Sequence, residues 1–239
     1  MKLELSDIHK SFGKKEVLKG CSFTFEQGKI YGLLGRNGAG KTTLFNCLSD
    51  EIQADQGTAH LIQEDGSRVL LDPERIAYVF STPLLPDFLT GYEFLKFYME
   101  INQERIDPDK TIDDYFDMVK IEPEDRNRLM KGYSHGMKNK MQMLLFIISK
   151  PPVILLDEPL TSFDVVVALE IKQLLKEMKE NHIILFSTHI LQLATDLCDE
   201  IVVLSEGRLS QIDHDMLKSQ DFENQIIELL KEEQEEGDA

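Results

Sequence analysis

One segment, GRNGAGKT at residues 35–42, constrains this chain more than any other. It follows an apolar, strand-like run at residues 29–34, and it matches the pattern G-x-x-x-x-G-K-[ST] at every fixed position. Glycines lack Cβ atoms, so the backbone can fold tightly enough to aim several N–H groups at phosphates, and the next helix adds its positive N-terminal end. The pattern therefore predicts a strand, a phosphate-binding loop and a helix that begins at Lys41, in a chain that binds a nucleoside triphosphate.

Two residues of this loop have predicted chemical roles. Lys41 would bridge the β- and γ-phosphates, and Thr42 would offer its hydroxyl to Mg²⁺. A glycine-rich turn that only caps a helix is the alternative reading. The other predicted nucleotide contacts of the loop are Gly35, Arg36, Asn37, Gly38, Ala39, Gly40 and Thr43.

A second motif, VILLDEP at residues 153–159, places two acidic residues after an apolar run. Such a run is typical of a strand buried on both faces, and in open α/β sheets ligands bind at the carboxyl ends of the strands. Asp157 is predicted to hold Mg²⁺, directly or through water. Glu158 is predicted to take a proton from, or to orient, the water that attacks the γ-phosphorus. Taken alone, the pair could also serve only to make a strand end soluble.

The overall charge disfavours some partners. The chain has 26 Lys and Arg residues against 43 Asp and Glu residues, a formal net charge of −17. This sign disfavours nucleic acid and anionic lipid headgroups, so local geometry must hold the phosphates. The cysteines form no C-x-x-C pair, which favours free thiols over disulfides or a metal site. No apolar run approaches the ~20 residues of a membrane helix, and the first residues lack the core of a signal peptide, so we expect a cytoplasmic protein.

The periodicity of apolar residues divides the chain into three parts. Strands are predicted near the N-terminus and around the phosphate loop, and residues 90–149 have helical spacing throughout. Beyond residue 150, strands and helices alternate as in a parallel sheet covered by helices. The last residues combine an amphipathic helix with a charged end. The predicted strands are 2–8, 21–26, 57–62, 68–71, 75–80, 153–156, 183–186 and 201–204, and the later helices are 165–179 and 191–197.

A third motif, YSHGMKNK at residues 133–140, resembles the signature LSGGQ of ATP-binding cassette (ABC) ATPases. Ser134 and Gly136 match that signature. Tyr133, His135 and Met137 replace Leu, Gly and Gln, in a version that looks like the one in cassette subunits of bacterial exporters. The resemblance implies that Ser134 and Gly136 contact the γ-phosphate, because a hydroxyl, backbone N–H groups and a helix N-terminus suit an anion. Without its neighbours, the same segment would be read as an N-cap.

The resemblance to ABC ATPases extends over roughly residues 2–215. Phe12 stands where the family has its adenine-stacking aromatic, although simple packing is the commoner role of such a residue. The segment 161–164 resembles the family's D-loop. His189 resembles the switch histidine, which would hydrogen-bond the γ-phosphate and the attacking water. Ser81 replaces a Gln that touches Mg²⁺ and water, so a bridging water or a neighbouring residue would have to substitute for the longer side chain.

What the resemblance implies for the fold is an α/β architecture. A P-loop NTPase core, with a mostly parallel sheet and flanking helices, would carry an N-terminal antiparallel β subdomain and an inserted α-helical subdomain. The predicted ABC ATPase domain comprises residues 1–215. Within it, a RecA-like core at 1–82 and 150–212 surrounds a helical signature subdomain at 83–149. A C-terminal amphipathic helix and acidic tail would occupy residues 216–239.

The resemblance also implies the activity and the partners. The chain would hydrolyse ATP with Mg²⁺ and pair head to tail with a second copy or a homologous cassette, each ATP lying between one phosphate loop and the partner's signature. Its other partner would be a separate transmembrane permease. The chain would lie on the cytoplasmic face of the membrane and would contact the membrane only through this permease. The signature variant implies an exporter. The main alternative is a soluble cassette of the iron–sulfur assembly type; a DNA-repair or chromosome-structure ATPase is disfavoured by the charge and by the lack of a heptad insertion.

Apolar side chains are concentrated in residues 83–98. Helical spacing predicts that three of them belong to the core of the helical part: Phe94, Phe97 and Tyr98. The others, chiefly Leu84, Leu85 and Phe88, would border a groove for a short cytoplasmic helix of the permease.

Overall fold

The computed structural model describes residues 1–159 and 165–212. The predicted D-loop segment 161–164 and the predicted C-terminal helix and tail at 216–239 lie outside the described residues. In the described part, the strands are β1 (Lys2–Phe12), β2 (Lys15–Glu26), β3 (Ile30–Leu34), β4 (Gln56–Ile62), β5 (Arg68–Leu70), β6 (Ile76–Val79), β7 (Val153–Asp157), β8 (Ile183–Thr188), β9 (Glu200–Ser205) and β10 (Arg208–Gln211). The helices are α1 (Lys41–Leu48), α2 (Gly91–Ile101), α3 (Ile112–Met118), α4 (Pro123–Arg126), α5 (His135–Ser149), α6 (Val165–Met178) and α7 (Leu191–Leu197).

Four strands form an antiparallel sheet in the order β2-β1-β4-β5. Leu3 and Leu5 of β1 are buried and their neighbours are not, as the two-residue period of a half-buried strand requires. The hairpin strands β1 and β2 are longer than predicted, because pairing continues through polar residues to Phe12 and Lys15. The predicted N-terminal antiparallel β subdomain is confirmed.

The second sheet has the order β10-β9-β3-β8-β7-β6. The strands from β9 to β6 are parallel, and β10 pairs antiparallel with β9. Every residue of β3, β7 and β8 is buried, because α1 and the first sheet cover one face and helices cover the other. The predicted mostly parallel core is confirmed, while β10 was not among the predicted strands.

One hydrophobic cluster joins helices α2, α3 and α5 with one face of the parallel sheet. It contains Leu95 of α2, Phe116 of α3 and Phe146 of α5, packed with Ile154 and Leu156 of β7. The predicted helical character of residues 90–149 is confirmed. Whether this part is a separate subdomain with the predicted boundaries stays a prediction.

Local signals in the sequence fix where these helices begin. Thr90 and Thr111 each form a capping box with an acidic residue three positions later, at the start of α2 and α3. The prediction that Phe97 belongs to the core is wrong: its side chain is 56% exposed, because α2 turns this side to solvent. In the described ranges, no helix combines the length and the apolar character that crossing a bilayer requires.

The two strands β1 and β4 approach closely at Gly57, which allows a test of stability. Gly57 has φ +90°, and a Cβ atom there would lie 2.2 Å from the Asp7 carbonyl oxygen. Gly57→Ala must displace backbone, so we expect it to lower the free energy of unfolding by about 3 kcal/mol. Gly66→Ala is the matched control, since Gly66 has φ +82° but open space around it. This variant should lower the free energy of unfolding by only ~1–2 kcal/mol, the cost of a left-handed conformation for a residue with a Cβ atom. Equal losses in urea unfolding would contradict the close approach.

The parallel sheet brings three chain segments to one edge. Because β3, β8 and β7 are parallel neighbours, their carboxyl ends meet there. The phosphate loop follows β3, Glu158 follows β7 and His189 follows β8. The phosphate loop, the acidic pair and His189 therefore start from neighbouring strands.

Candidate functional site

The phosphate loop ends in a helix whose first turn is available to an anion. α1 begins at Lys41, as predicted, after Gly40 with φ +106°. In the described residues, no side chain caps this helix and its first turn contains no acidic residue. A Cβ atom on Gly40 would lie 2.9 Å from Val17 Cγ1 of β2, so the loop passes too close to this strand for a larger residue. The backbone N–H groups at the start of α1 thus have no side-chain cap among the described residues, and such a helix start suits phosphate.

Lys41 lies folded into the loop that precedes it. Its side chain is 5% exposed, and its Nζ atom donates to the carbonyl oxygens of Gly35 at 2.8 Å and Arg36 at 3.1 Å. The same Nζ atom lies 3.6 Å from Glu158 Oε1. A buried ammonium is stable only with such partners. The structure therefore places a positive charge between the loop and the predicted base.

The Asp157 carboxylate is held at both oxygen atoms. Thr42 Oγ1 donates to Asp157 Oδ2 at 2.7 Å, which joins the phosphate loop to the end of β7. Ser187 of β8 donates to Asp157 Oδ1 at 2.5 Å. Asp157 is buried, and burial, followed by the nearby Asp157 charge, raises the pKa of the Tyr78 phenol above its usual value. Tyr78 is therefore protonated at neutral pH beside this carboxylate.

Glu158 and His189 form a pair at the mouth of the site. His189 Nδ1 lies 3.0 Å from Glu158 Oε1, and because a carboxylate accepts only, the imidazole donates in this contact. The backbone of Glu158 is in the left-handed region, with φ +49°. Its N–H donates to Ser187 Oγ at 3.0 Å. The side chains of Asp157 and Glu158, although adjacent in sequence, consequently contact different groups, while both residues share Ser187.

The donors at this edge fit a magnesium–triphosphate complex. Hydroxyl and carboxylate oxygens such as those of Thr42 and Asp157 are the ligands that Mg²⁺ prefers, and the ion usually keeps several waters and takes few protein ligands. The uncapped start of α1 and the Lys41 ammonium fit the phosphates. The residue types and their proximity are suited to phosphoryl transfer to water.

Other predicted site residues do not join this cluster. Ser81 is exposed and follows β6, whose Val79 pairs with Leu156, so it lies near the same sheet edge; in the described part of the chain its side chain makes no hydrogen bond. Phe12 ends β1 and is 53% exposed. Ser134 is exposed and accepts from the Met137 N–H at 3.2 Å, so it caps α5 as the N-cap reading predicted. Gly136 follows in the first turn of the same helix.

Sequence reasoning missed Ser187. It stands in the apolar run of β8 as the residue in register with Asp157 and is fully buried. A buried hydroxyl needs a hydrogen-bond partner, so a Ser near the end of an apolar strand was the available signal. The sequence does not identify the residue that it contacts.

Comparison with known proteins shows the family of this chain. The sequence profile of a family described as ABC transporter matches residues 18–161. The chain belongs to the ABC transporter family. ABC cassettes hydrolyse MgATP in general, so this cassette is an ATPase that uses ATP and Mg²⁺.

Two curated relatives illustrate the similarity. An uncharacterized ABC transporter ATP-binding protein of Nostoc sp., all4389, is 35% identical over 200 residues, which are 80% of this chain and 58% of that protein. The sulfate/thiosulfate import ATP-binding protein CysA of Vibrio cholerae is 30% identical over 220 residues, which are 89% of this chain and 58% of that protein. The ABC chain described here thus spans little more than half the length of these two relatives.

A solved structure shows the same ABC fold. An ATP-binding subunit of an ABC transporter matches with a TM-score of 0.80 and 24% sequence identity, and the match covers 97% of this chain and 100% of that one. At this identity, the likeness concerns the fold alone. It confirms the P-loop NTPase architecture expected from the sequence.

Proposed function

We propose that this chain is the ATP-hydrolysing subunit of an ABC exporter, working as a dimer on a separate membrane-spanning chain. The observation that carries the proposal is the convergence of Lys41, Thr42, Asp157, Glu158 and His189 at one sheet edge. The proposed division into a core, a helical signature subdomain and a C-terminal extension follows the boundaries given above.

In this proposal, the phosphate loop and α1 bind the substrate. Lys41 leaves the carbonyls of Gly35 and Arg36 and donates to the β- and γ-phosphates, while backbone N–H groups of residues 35–43 hold the same oxygens. Thr42 and Asp157 hold Mg²⁺. When bound, the ion supplies positive charge that neutralises the developing charge on the phosphates.

In this proposal, the pair of Glu158 and His189 carries out hydrolysis. Glu158 accepts a proton from the attacking water and directs its oxygen at the γ-phosphorus. His189, already 3.0 Å from Glu158 Oε1, orients this carboxylate and hydrogen-bonds the γ-phosphate. Ser81, at the neighbouring strand end, would reach the metal only through a bridging water.

The second half of each site would come from a partner cassette. Ser134 and Gly136 are proposed to present a hydroxyl and backbone N–H groups to the γ-phosphate bound by the other copy. The exposure of Ser134 at the start of α5 supports this role. Phe12 is proposed to stack on the adenine of ATP bound by its own chain.

Phe12 allows a direct test of base stacking. Its ring is 53% exposed at the hairpin of β1 and β2, and Val17 of β2 contacts the phosphate loop at Gly40. Phe12→Ala is expected to weaken ATP binding about tenfold, the equivalent of ~1–3 kcal/mol of stacking energy. Phe97→Ala, which removes another exposed ring, is the control and should bind ATP normally. Equal ATP affinities of the two variants in fluorescence titration would exclude stacking.

The exporter assignment rests on the signature variant at residues 133–137, not on the relatives, one of which is named as an import protein. The proposed docking surface for the permease consists of Leu84, Leu85 and Phe88. Leu84 and Phe88 are 67% and 78% exposed, while Leu85 is partly buried and packs against the core. Leu84 and Phe88 therefore offer most of the exposed apolar surface for the proposed contact.

The docking surface predicts the behaviour of a double variant. Leu84→Asp with Phe88→Asp should leave ATP hydrolysis by the isolated chain unchanged and abolish co-purification with the permease in detergent, because two charges would enter an apolar contact. Leu70→Asp, at another exposed leucine in the first sheet, is the control and should co-purify normally. Co-purification of the double variant at wild-type yield would overturn the surface.

The same preparation tests the transport role. A membrane chain must be recovered with the wild-type cassette; recovery of a soluble complex alone would favour the iron–sulfur assembly type instead. Direction is measured in liposomes with the cassette outside, where ATP added outside must drive solute into the lumen if the protein is an exporter.

A further inference from the structure

We propose that Ser187 is a positioning residue that fixes the metal-binding carboxylate of Asp157 and the base Glu158 relative to each other through one hydroxyl group. This inference rests on the roles proposed above for Asp157 and Glu158. It adds a residue that lies outside the three sequence motifs of the site.

The location of Ser187 is set by the sheet. β8 lies between β3 and β7, and Ser187 is paired in register with Leu33 on one side and Asp157 on the other. Its side chain is fully buried. The Oγ atom lies 2.5 Å from Asp157 Oδ1 and 3.0 Å from the Glu158 backbone nitrogen.

The direction of both hydrogen bonds follows from the partners. A backbone N–H can only donate, so Ser187 Oγ accepts from Glu158. An ionised carboxylate can only accept, so the single hydroxyl proton of Ser187 points at Asp157. The Ser187 hydroxyl therefore joins the Glu158 backbone to the Asp157 side chain by two consecutive hydrogen bonds, and the donor and the acceptor cannot be exchanged in either bond.

The first consequence concerns the metal ligand. Ser187 holds Asp157 Oδ1, while Thr42 Oγ1 meets Oδ2. Rotation of the carboxylate about its terminal torsion would break a buried, charge-assisted hydrogen bond, which is among the stronger kinds in proteins. Asp157 Oδ2 is thus preset on the side of the phosphate loop, where the metal is proposed to bind.

The second consequence concerns the base. Glu158 has φ +49°, a left-handed conformation that is unfavourable for a residue with a Cβ atom. The bond from its N–H to Ser187 offsets part of that cost, because an unpaired buried N–H would be unfavourable as well. This conformation turns the Glu158 side chain toward Lys41 and His189. Without Ser187, the peptide could relax toward ordinary strand geometry and move the base.

The test measures metal binding directly. Mn²⁺ replaces Mg²⁺, and its affinity for the chain with bound ADP is measured by electron paramagnetic resonance. Ser187→Ala is expected to raise the Mn²⁺ dissociation constant on the order of tenfold, as loss of a residue behind a metal ligand usually does. ADP affinity in EDTA should stay unchanged, and kcat for MgATP should fall on the order of 10–100-fold.

Ser149→Ala is the matched control. Ser149 is also buried, and its hydroxyl donates to the Leu145 carbonyl oxygen at 2.7 Å, within α5. Both variants lose one buried hydrogen bond, so both should be less stable, but only Ser187→Ala should weaken Mn²⁺ binding. All titrations are made at a temperature at which circular dichroism shows each variant folded.

The outcomes separate this inference from the proposed function. Wild-type Mn²⁺ affinity in Ser187→Ala, or an equal loss in Ser149→Ala, would overturn the role of Ser187 and leave the metal site intact. Failure of the wild-type chain to bind Mn²⁺ with ADP would overturn the metal site and, with it, this inference. If Ser187→Ala does not fold, Ser187→Cys is measured: its longer and weaker hydrogen bonds should still weaken Mn²⁺ binding, and an unchanged affinity would refute the proposal.

Discussion

Glu158→Gln is expected to bind MgATP and to hydrolyse it at least on the order of a hundredfold more slowly than the wild-type chain. Gln keeps the size of the side chain and its hydrogen bond to His189, but it cannot accept the proton of the attacking water. Since ATP is not consumed, the variant should also accumulate as an ATP-bound dimer. Phosphate release measures the first effect, and gel filtration in MgATP measures the second.

The control for this experiment is Glu104→Gln. Glu104 is exposed between α2 and α3, so its neutralisation changes the net charge equally without touching the site. It should hydrolyse ATP at the wild-type rate. A Glu158→Gln chain that turns over normally and elutes only as a monomer would refute both the base and the dimer.

Lys41→Ala is expected to weaken ATP binding on the order of a hundredfold, because each lost charge-assisted hydrogen bond to phosphate is worth ~1.5–3 kcal/mol. The variant also leaves the carbonyl oxygens of Gly35 and Arg36 without the Nζ donor that the structure gives them. The loop should therefore lose stability even before nucleotide is added. Titration with a fluorescent ATP analogue measures the affinity, and thermal unfolding without nucleotide measures the second effect.

Lys131→Ala, at an exposed position in the turn before α5, separates local from general charge effects. It removes the same charge from the chain and should leave both ATP affinity and unfolding temperature unchanged. If Lys41→Ala bound ATP as tightly as this control, the phosphate-binding role of the loop would have to be abandoned.

Much of the fold follows from local signals. The uninterrupted apolar runs of β3, β7 and β8 predict strands buried on both faces, and the boundaries of α1 and α7 follow from a glycine loop and from helical periodicity. The edge strand β10 does not follow, because RLSQ has neither alternation nor an apolar run. Its strand conformation comes from pairing with β9, which is a tertiary interaction.

In the site, too, some features could be predicted from local sequence and others depend on tertiary contacts. The residues of the motifs could be named because their spacing is characteristic, and the structure brings Lys41, Thr42, Asp157, Glu158 and His189 together. These contacts establish that the residues lie close together, and the chemical roles of the residues are proposals. The contact of Ser187 with Asp157 could not be predicted, because it depends on the register of β7 against β8. The exposure of Phe97 likewise depends on how α2 lies on its neighbours, not on spacing along one helix.

The hydrophobic cluster shared by helices α2, α3 and α5 and the parallel sheet limits how these parts can move. Their side chains pack in one cluster, so any rotation of the helices must slide packed side chains over one another, since interiors are close-packed. Methionine is frequent in this cluster: Met130, Met141 and Met143 are fully buried, and Met99, Met137 and Met178 are partly buried and pack against it. Unbranched thioether side chains can change rotamer and refill gaps at little cost. We therefore expect changes of methionine rotamer to accommodate small shifts of these helices against the sheet.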